Sequence, residues 1–205
     1  VPQLLSVIAS LGLEELVVMG HSRGAAIAVL LATALEEQCS RLVLLDGMLP
    51  RPAPEESTAQ QFLQSQRDHI GLTAHRPRTF GDLEAFVSAR VKLGFSQGSA
   101  RILAPRALRE TAEGWALTHD PRLNHASAVK LSPAMCSAFY AAMTQPTLAL
   151  VAEQGLRVRG GLEASLAAVS EIPNCRVETV PGSHHTHMEE GAQLIAERLA
   201  DFMGA

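Results

Sequence analysis

The sequence predicts an α/β fold: a mostly parallel β-sheet flanked by helices and interrupted by an inserted helical region. Three observations carry this. Two continuous apolar runs, "LVVMG" at 16–20 and "LVLLDG" at 42–47, are separated by one helix rich in Ala and Leu. Apolar strands joined through helices belong to parallel sheets covered on both faces. The same strand–helix rhythm returns after Pro146, and the stretch between has its own composition. Residues 51–145 hold 11 basic and 8 acidic residues against 6 and 13 elsewhere, and seven of the eight aromatic residues, Phe202 being the exception. The chain therefore reads as a core of residues 1–50 and 146–205 around an insertion at 51–145.

Each element follows from local pattern. "VPQLLSVIASLG" spaces its apolar residues as a helix does, with Gly12 as the stop. "EELVVMG" is a short strand, "SRGAAIAVLLATALEEQ" a helix of strong helix formers, and "RLVLLDG" a second strand. Pro50, Pro52 and Pro54 mark a break. Helical segments follow near 56–69, 80–93, 99–113 and 133–143; Ser132 suits the N-cap of the last and Pro133 its first position. "GWALTHDPRL" is a short extended or turn segment. "TLALVAE" is then a strand, "GLEASLAAVSEI" a helix, "CRVETVPG" a strand and "EEGAQLIAERLADFM" the closing helix. The strand at 16–19 is apolar throughout and so is expected to be central. No strand precedes it here, and an exposed apolar edge is a liability, so early strands are expected to be missing from this chain.

Composition bounds the function. With 205 residues, 47% hydrophobic and 19% charged, the chain can bury one sizeable core. A net charge of −4 gives no support for nucleic-acid binding. No apolar run approaches the about 18 residues of a membrane span, and residues 1–11 lack the basic flank of a secretory signal. Cys39, Cys136 and Cys175 are odd in number and widely spaced. They read as reduced core thiols of a cytoplasmic protein, and none carries a motif around it.

The chemistry sits in Gly20-His21-Ser22-Arg23-Gly24, which fits G-x-S-x-G with a strand before it and a helix after it. In that context Ser22 occupies a sharp turn that projects its hydroxyl above the sheet, and the Arg23 N–H at the helix start can donate to a developing oxyanion. A structural turn that happens to hold a serine is the bland alternative. A serine nucleophile needs a base, and His184, His185 and His187 stand together in "VPGSHHTHMEE". Clustered histidines also suit zinc, but no acidic or cysteine partner lies at a familiar metal spacing, so no metal and no cofactor is expected. After the second strand, Asp46 is followed by Gly47, a common turn pair; Glu153 ends the third strand.

On "GHSRG", "LVLLDGMLP", "THDPRL" and "VPGSHHTHMEE" the chain resembles the α/β-hydrolase superfamily, and within it the serine hydrolase-like proteins. The resemblance implies a Ser–His–acid triad and an insertion acting as a helical cap. The family pattern G-x-H-x-x-H falls on Gly182, His184 and His187, which makes His184 the base and His185 the runner-up. The usual acid position falls on Gly155, which leaves it vacant and redirects the acid to Asp46, with Glu153 second. Neighbouring strands lie only about 4.8 Å apart, so Asp46 is expected on the same rim as Ser22. The implied function is a serine hydrolase cleaving an ester or related carbonyl of a small molecule with an apolar part. The alternative is a catalytically silent homologue or fragment, since the second oxyanion donor comes from a loop after an earlier strand.

Overall fold

The computed structural model describes residues 1–49, 52–72, 79–155 and 162–204. Its elements in chain order are α1 (Pro2–Leu11), β1 (Leu16–His21), α2 (Arg23–Leu35), β2 (Cys39–Leu45), α3 (Thr58–Leu72), β3 (Thr79–Phe80), α4 (Leu83–Val91), α5 (Gln97–Ala107), β4 (Leu108–Thr111), β5 (Gly114–Leu117), α6 (Pro133–Ala141), β6 (Thr147–Ala152), α7 (Leu162–Ser170), β7 (Cys175–Val180) and α8 (Ala192–Met203). Two compact units form: Val1–Pro52 with Leu131–Ala205, and Ala53–Lys130. Pro50, and with it the expected boundary at 50/51, lies outside the described residues, as does Gly161, the expected first residue of the α7 helix.

In the first unit a parallel sheet runs in the order β1-β2-β6-β7. His21 is level with Leu45, and Leu45 with Leu150. The carboxyl ends of β1, β2 and β6 therefore lie side by side, and the residues that leave them share one rim. This is where open α/β sheets gather their functional groups.

Side-chain alternation explains the two cores. Leu42 and Leu44 of β2 and Ala149 of β6 face one way and pack with Ala25, Val29 and Ala32 of α2 and Tyr140 of α6. Val43 and Leu45, with Leu148 and Leu150, face the other way against Ile195 and Leu199 of α8. With helices on both faces, Leu42–Leu45 of β2 and Leu148–Ala152 of β6 are all apolar and buried, which is why they read as continuous runs. Each fully buried Leu or Val contributes about 1.5–3 kcal/mol.

The two ends of the described sheet differ. On β7, Arg176 pairs with Glu178 and Asp201, and Arg198 reaches Glu178; charged side chains blunt an edge against further pairing. β1 occupies the opposite end, where Leu16 and Val18 pack against the core and Val17 and Met19 are 41% and 55% exposed. The strand expected to be central is thus the end strand of the described sheet, covered on one face.

The second unit carries helices α3, α4 and α5 and, beside them, strands. β3, β5 and β4 form a small antiparallel sheet, and the helix expected over 99–113 ends at Ala107, where the chain turns extended. Phe80, Phe86, Val87, Ala100, Ala104 and Leu108 build this unit's own core. Asp82 and Ser96 cap α4 and α5, accepting from the N–H groups of Ala85 and Ser99. The insertion also ends earlier than composition suggested. Residues 131–145 belong to the first unit, because Cys136, Tyr140 and Met143 are buried in its core and the Leu49 N–H donates to the Tyr140 hydroxyl at 3.0 Å. Ser132 caps α6 and Pro133 opens it, as the sequence indicates. Among the described residues no helix is long and apolar enough to cross a membrane.

Candidate active site

β1 ends at His21 and α2 begins at Arg23, so Ser22 must reverse the chain alone. It does so at φ 55°, ψ −121°, a conformation that costs a non-glycine residue about 1–3 kcal/mol. The surroundings hold it there. The Ser22 N–H donates to the Leu45 carbonyl at 3.1 Å, and the Ser22 carbonyl accepts from the Ala25 N–H at 3.0 Å. The helix leaves so close to the strand that a Cβ on Gly20 would collide with the backbone of Gly24. Of the two motif glycines, Gly20 is the one whose missing side chain permits the turn; a Cβ on Gly24 would meet nothing within 4 Å. Gly47 does similar work from β2, since a Cβ there would stand 2.5 Å from the Ser22 carbonyl oxygen. By sequence alone Gly47 is only the partner of a turn pair.

Asp46 leaves β2 one strand over. Its φ is also positive, at 39°, and its N–H donates to the Leu150 carbonyl at 2.7 Å. The carboxylate is 3% exposed. One oxygen accepts from the Ala152 N–H at 3.0 Å, and the other lies 2.5 Å from Nδ1 of His184. Gly155 explains why this carboxylate fits. A Cβ at position 155 would overlap Oδ2 of Asp46 and stand 2.6 Å from its Cγ. The position where the family pattern leads one to expect an aspartate holds no side chain, and the Asp46 carboxylate fills that space. Glu153, the second-choice acid, is exposed.

His184 comes from the loop after β7. Thr186, 2% exposed, anchors that loop by donating its hydroxyl to the Pro181 carbonyl at 2.8 Å. Ser183 donates to a Glu189 carboxylate oxygen at 3.0 Å and accepts from the His185 N–H at 3.2 Å. Nε2 of His184 lies 2.8 Å from the Ser22 hydroxyl. With Nδ1–H donating to Asp46, Nε2 is left to accept the serine proton, which is the tautomer a general base requires. Thus Ser22, His184 and Asp46 are brought into one hydrogen-bonded line. His185 is nearly buried, and His185 and His187 turn their rings towards His21, at centroid distances of 5.6 and 4.0 Å. Arg23, the expected oxyanion residue, opens α2 directly after Ser22, so its N–H belongs to the first turn of the helix.

Other candidates fall away from this line. Burial pushes all three cysteine thiols up, that of Cys175 to about 11. Among the described residues no group of three or more His, Cys, Asp or Glu side chains is placed to hold a metal ion. Sequence reasoning missed Ala152, Thr186, Gly155 as a fitting position, and His21; none of these has a residue-type signal that singles it out in a single sequence.

A serine on a strained turn between a parallel strand and a helix, facing a histidine and an aspartate on the same rim, defines the α/β-hydrolase arrangement. The chain belongs to the alpha/beta hydrolase family, whose model matches residues 1–198. It is 24% identical to a serine hydrolase-like protein of Dictyostelium discoideum, over 99% of this chain and 59% of that protein. It is 23% identical to a serine hydrolase-like protein of Danio rerio, over 96% of this chain and 63% of that protein. The chain therefore spans about three fifths of the length of these two relatives. The crystal structure of a hypothetical protein from Pseudomonas aeruginosa superimposes with a TM-score of 0.90 at 31% identity, covering 99% of this chain and 72% of that one.

Proposed function

We propose that the protein is a serine hydrolase that cleaves an ester or related carbonyl substrate through an acyl-enzyme on Ser22. The observation that carries this reading is the line Ser22–His184–Asp46, at 2.8 and 2.5 Å, built on a serine at positive φ. His184 Nε2 takes the Ser22 proton as Oγ attacks the carbonyl carbon. The carbonyl oxygen becomes an oxyanion beside the Arg23 N–H. Asp46 holds Nδ1–H and stabilises the imidazolium without itself taking the proton. Collapse expels the leaving group, which receives the proton from His184. Water then gives a proton to the same Nε2, attacks the acyl carbon, and releases the acid and free Ser22. Each proton taken is returned, so no cofactor is needed. The substrate is a small molecule with an apolar part.

The test is a fluorophosphonate probe, which phosphonylates only an activated serine. The protein is labelled and Ser22→Ala is not. Labelling that survives Ser22→Ala refutes the reading, and a folded wild-type protein that takes no label favours the catalytically silent alternative.

A further inference from the structure

Four histidines crowd the rim, and the mechanism uses one of them. Of the others, His21 adjoins the serine in the chain and reaches the main chain of its base. Its main chain is the last residue of β1, next to Ser22. Its Nε2 lies 2.7 Å from the backbone carbonyl oxygen of His184. A carbonyl can only accept, so Nε2 carries the proton and donates. The ring is clamped: His187 lies 4.0 Å from it and His184 4.6 Å, between centroids.

We propose that His21 is a positioning residue, which through its Nε2–H ties the base-bearing loop to the nucleophile turn. This rests on the serine hydrolase reading. The reason such a tie matters lies in the reaction cycle. The Ser22–His184 hydrogen bond is lost whenever Ser22 is acylated, at the moment when His184 must face a water instead. The bond from His21 acts on the main chain of His184 and does not involve the reacting atoms, so it persists through every step. Loop and turn are thereby held in register while the side-chain bond is broken. Burial pushes the His21 imidazole down to about 4, with the imidazoles of His187, His184 and His185 acting in the same direction and the bond to His184 opposing them. The ring is therefore neutral, and its donor fixed, at the pH where a histidine base works. Displacing a catalytic group by about 1 Å costs on the order of 10²-fold in rate, which sets the size of the effect expected.

The experiment uses two variants. His21→Phe keeps a flat ring but has no donor; His21→Gln places an amide N–H near the position of Nε2. Both are checked for folding by circular dichroism, then assayed with p-nitrophenyl butyrate and for the rate of fluorophosphonate labelling. His21→Phe lowers kcat and the labelling rate about 10- to 100-fold with KM within about twofold, and His21→Gln recovers most of the loss. Proton NMR supplies a readout free of turnover: the downfield Nδ1 proton of His184 persists in wild type and His21→Gln and broadens away in His21→Phe. The proposal is overturned if folded His21→Phe turns over at the wild-type rate, if the loss falls on KM alone, or if folded His21→Gln is as slow as His21→Phe. If His21→Phe does not fold, the rate and the Nδ1 proton of His21→Gln decide. Should the wild type take no label while its Nδ1 proton responds to the two variants as described, the serine hydrolase reading fails and the tie from His21 to His184 stands; an unresponsive Nδ1 proton removes the tie as well.

Discussion

Position 155 offers a sharp test of how the acid is held. In Gly155→Ala the new Cβ would stand 2.7 Å from Oδ1 and 2.6 Å from Cγ of Asp46, and overlap Oδ2. Ordinary contact lies at 3.4–4 Å, so the carboxylate must retreat by on the order of 1 Å, a misplacement that costs about 10²-fold. Oδ2 is the oxygen that meets His184 and Oδ1 the one that accepts from Ala152; with the group 3% exposed, no retreat keeps both bonds. Losing a hydrogen bond to a charged group costs about 1.5–3 kcal/mol. If the imidazole also loses its tautomer, the rate penalty rises towards the about 10⁴ of a triad whose acid is replaced by its amide. The expectation is a folded variant whose kcat on p-nitrophenyl butyrate falls by about 10²–10⁴ with KM little changed. The melting temperature falls by about 2–4 °C per kcal/mol lost. A folded Gly155→Ala enzyme with at least half the wild-type kcat refutes the reasoning.

Four further outcomes are expected. Asp46→Asn lowers kcat by about 10⁴ while Glu153→Gln, at an exposed carboxylate, leaves it within about twofold; steady-state assays of both distinguish the two acids, and equal losses remove the assignment to Asp46. Thr186→Val leaves the Pro181 carbonyl without the Thr186 donor, costing about 1–3 kcal/mol in chemical denaturation, and an unchanged midpoint contradicts the anchoring role. Gly20→Ala forces a Cβ into the Gly24 backbone and destabilises by about 3 kcal/mol or more; a variant as stable as wild type on thermal melting means that strand and helix are not this close. His21 binds a proton more weakly folded, at about 4, than its ordinary 6.5, so the unfolded chain takes up the proton first. Its contribution is therefore present above about 6.5 and lost as pH falls towards 4. Denaturation midpoints of His21→Phe should be flatter over that window than those of wild type, and identical slopes would remove the effect.

The sequence by itself determined the parts that depend on local pattern. Apolar runs made β1, β2 and β6 legible, and along Leu42–Leu45 and Leu148–Ala152 burial on both faces leaves no room for polar positions. The G-x-S-x-G between a strand and a helix located Ser22, because few other residues permit so tight a reversal. Asp46 was legible as a candidate since it follows the neighbouring strand. For His184 and Asp46, to which the family resemblance pointed, the physical reason lies in the tertiary structure. Among three adjacent histidines, composition does not distinguish; the anchor at Thr186 turns His184, and not His185, to Ser22. Between Asp46 and Glu153, the register of β2 against β6 and the empty space at Gly155 decide, and both are relations between residues more than a hundred positions apart. Of the small sheet β3-β5-β4 only the extended segment at β5 was legible; the pairing of its strands and the return to the first unit at Leu131 were hidden for the same reason, since short strands and a helix of mixed polarity take their places from what they pack against, which a local window of sequence does not contain.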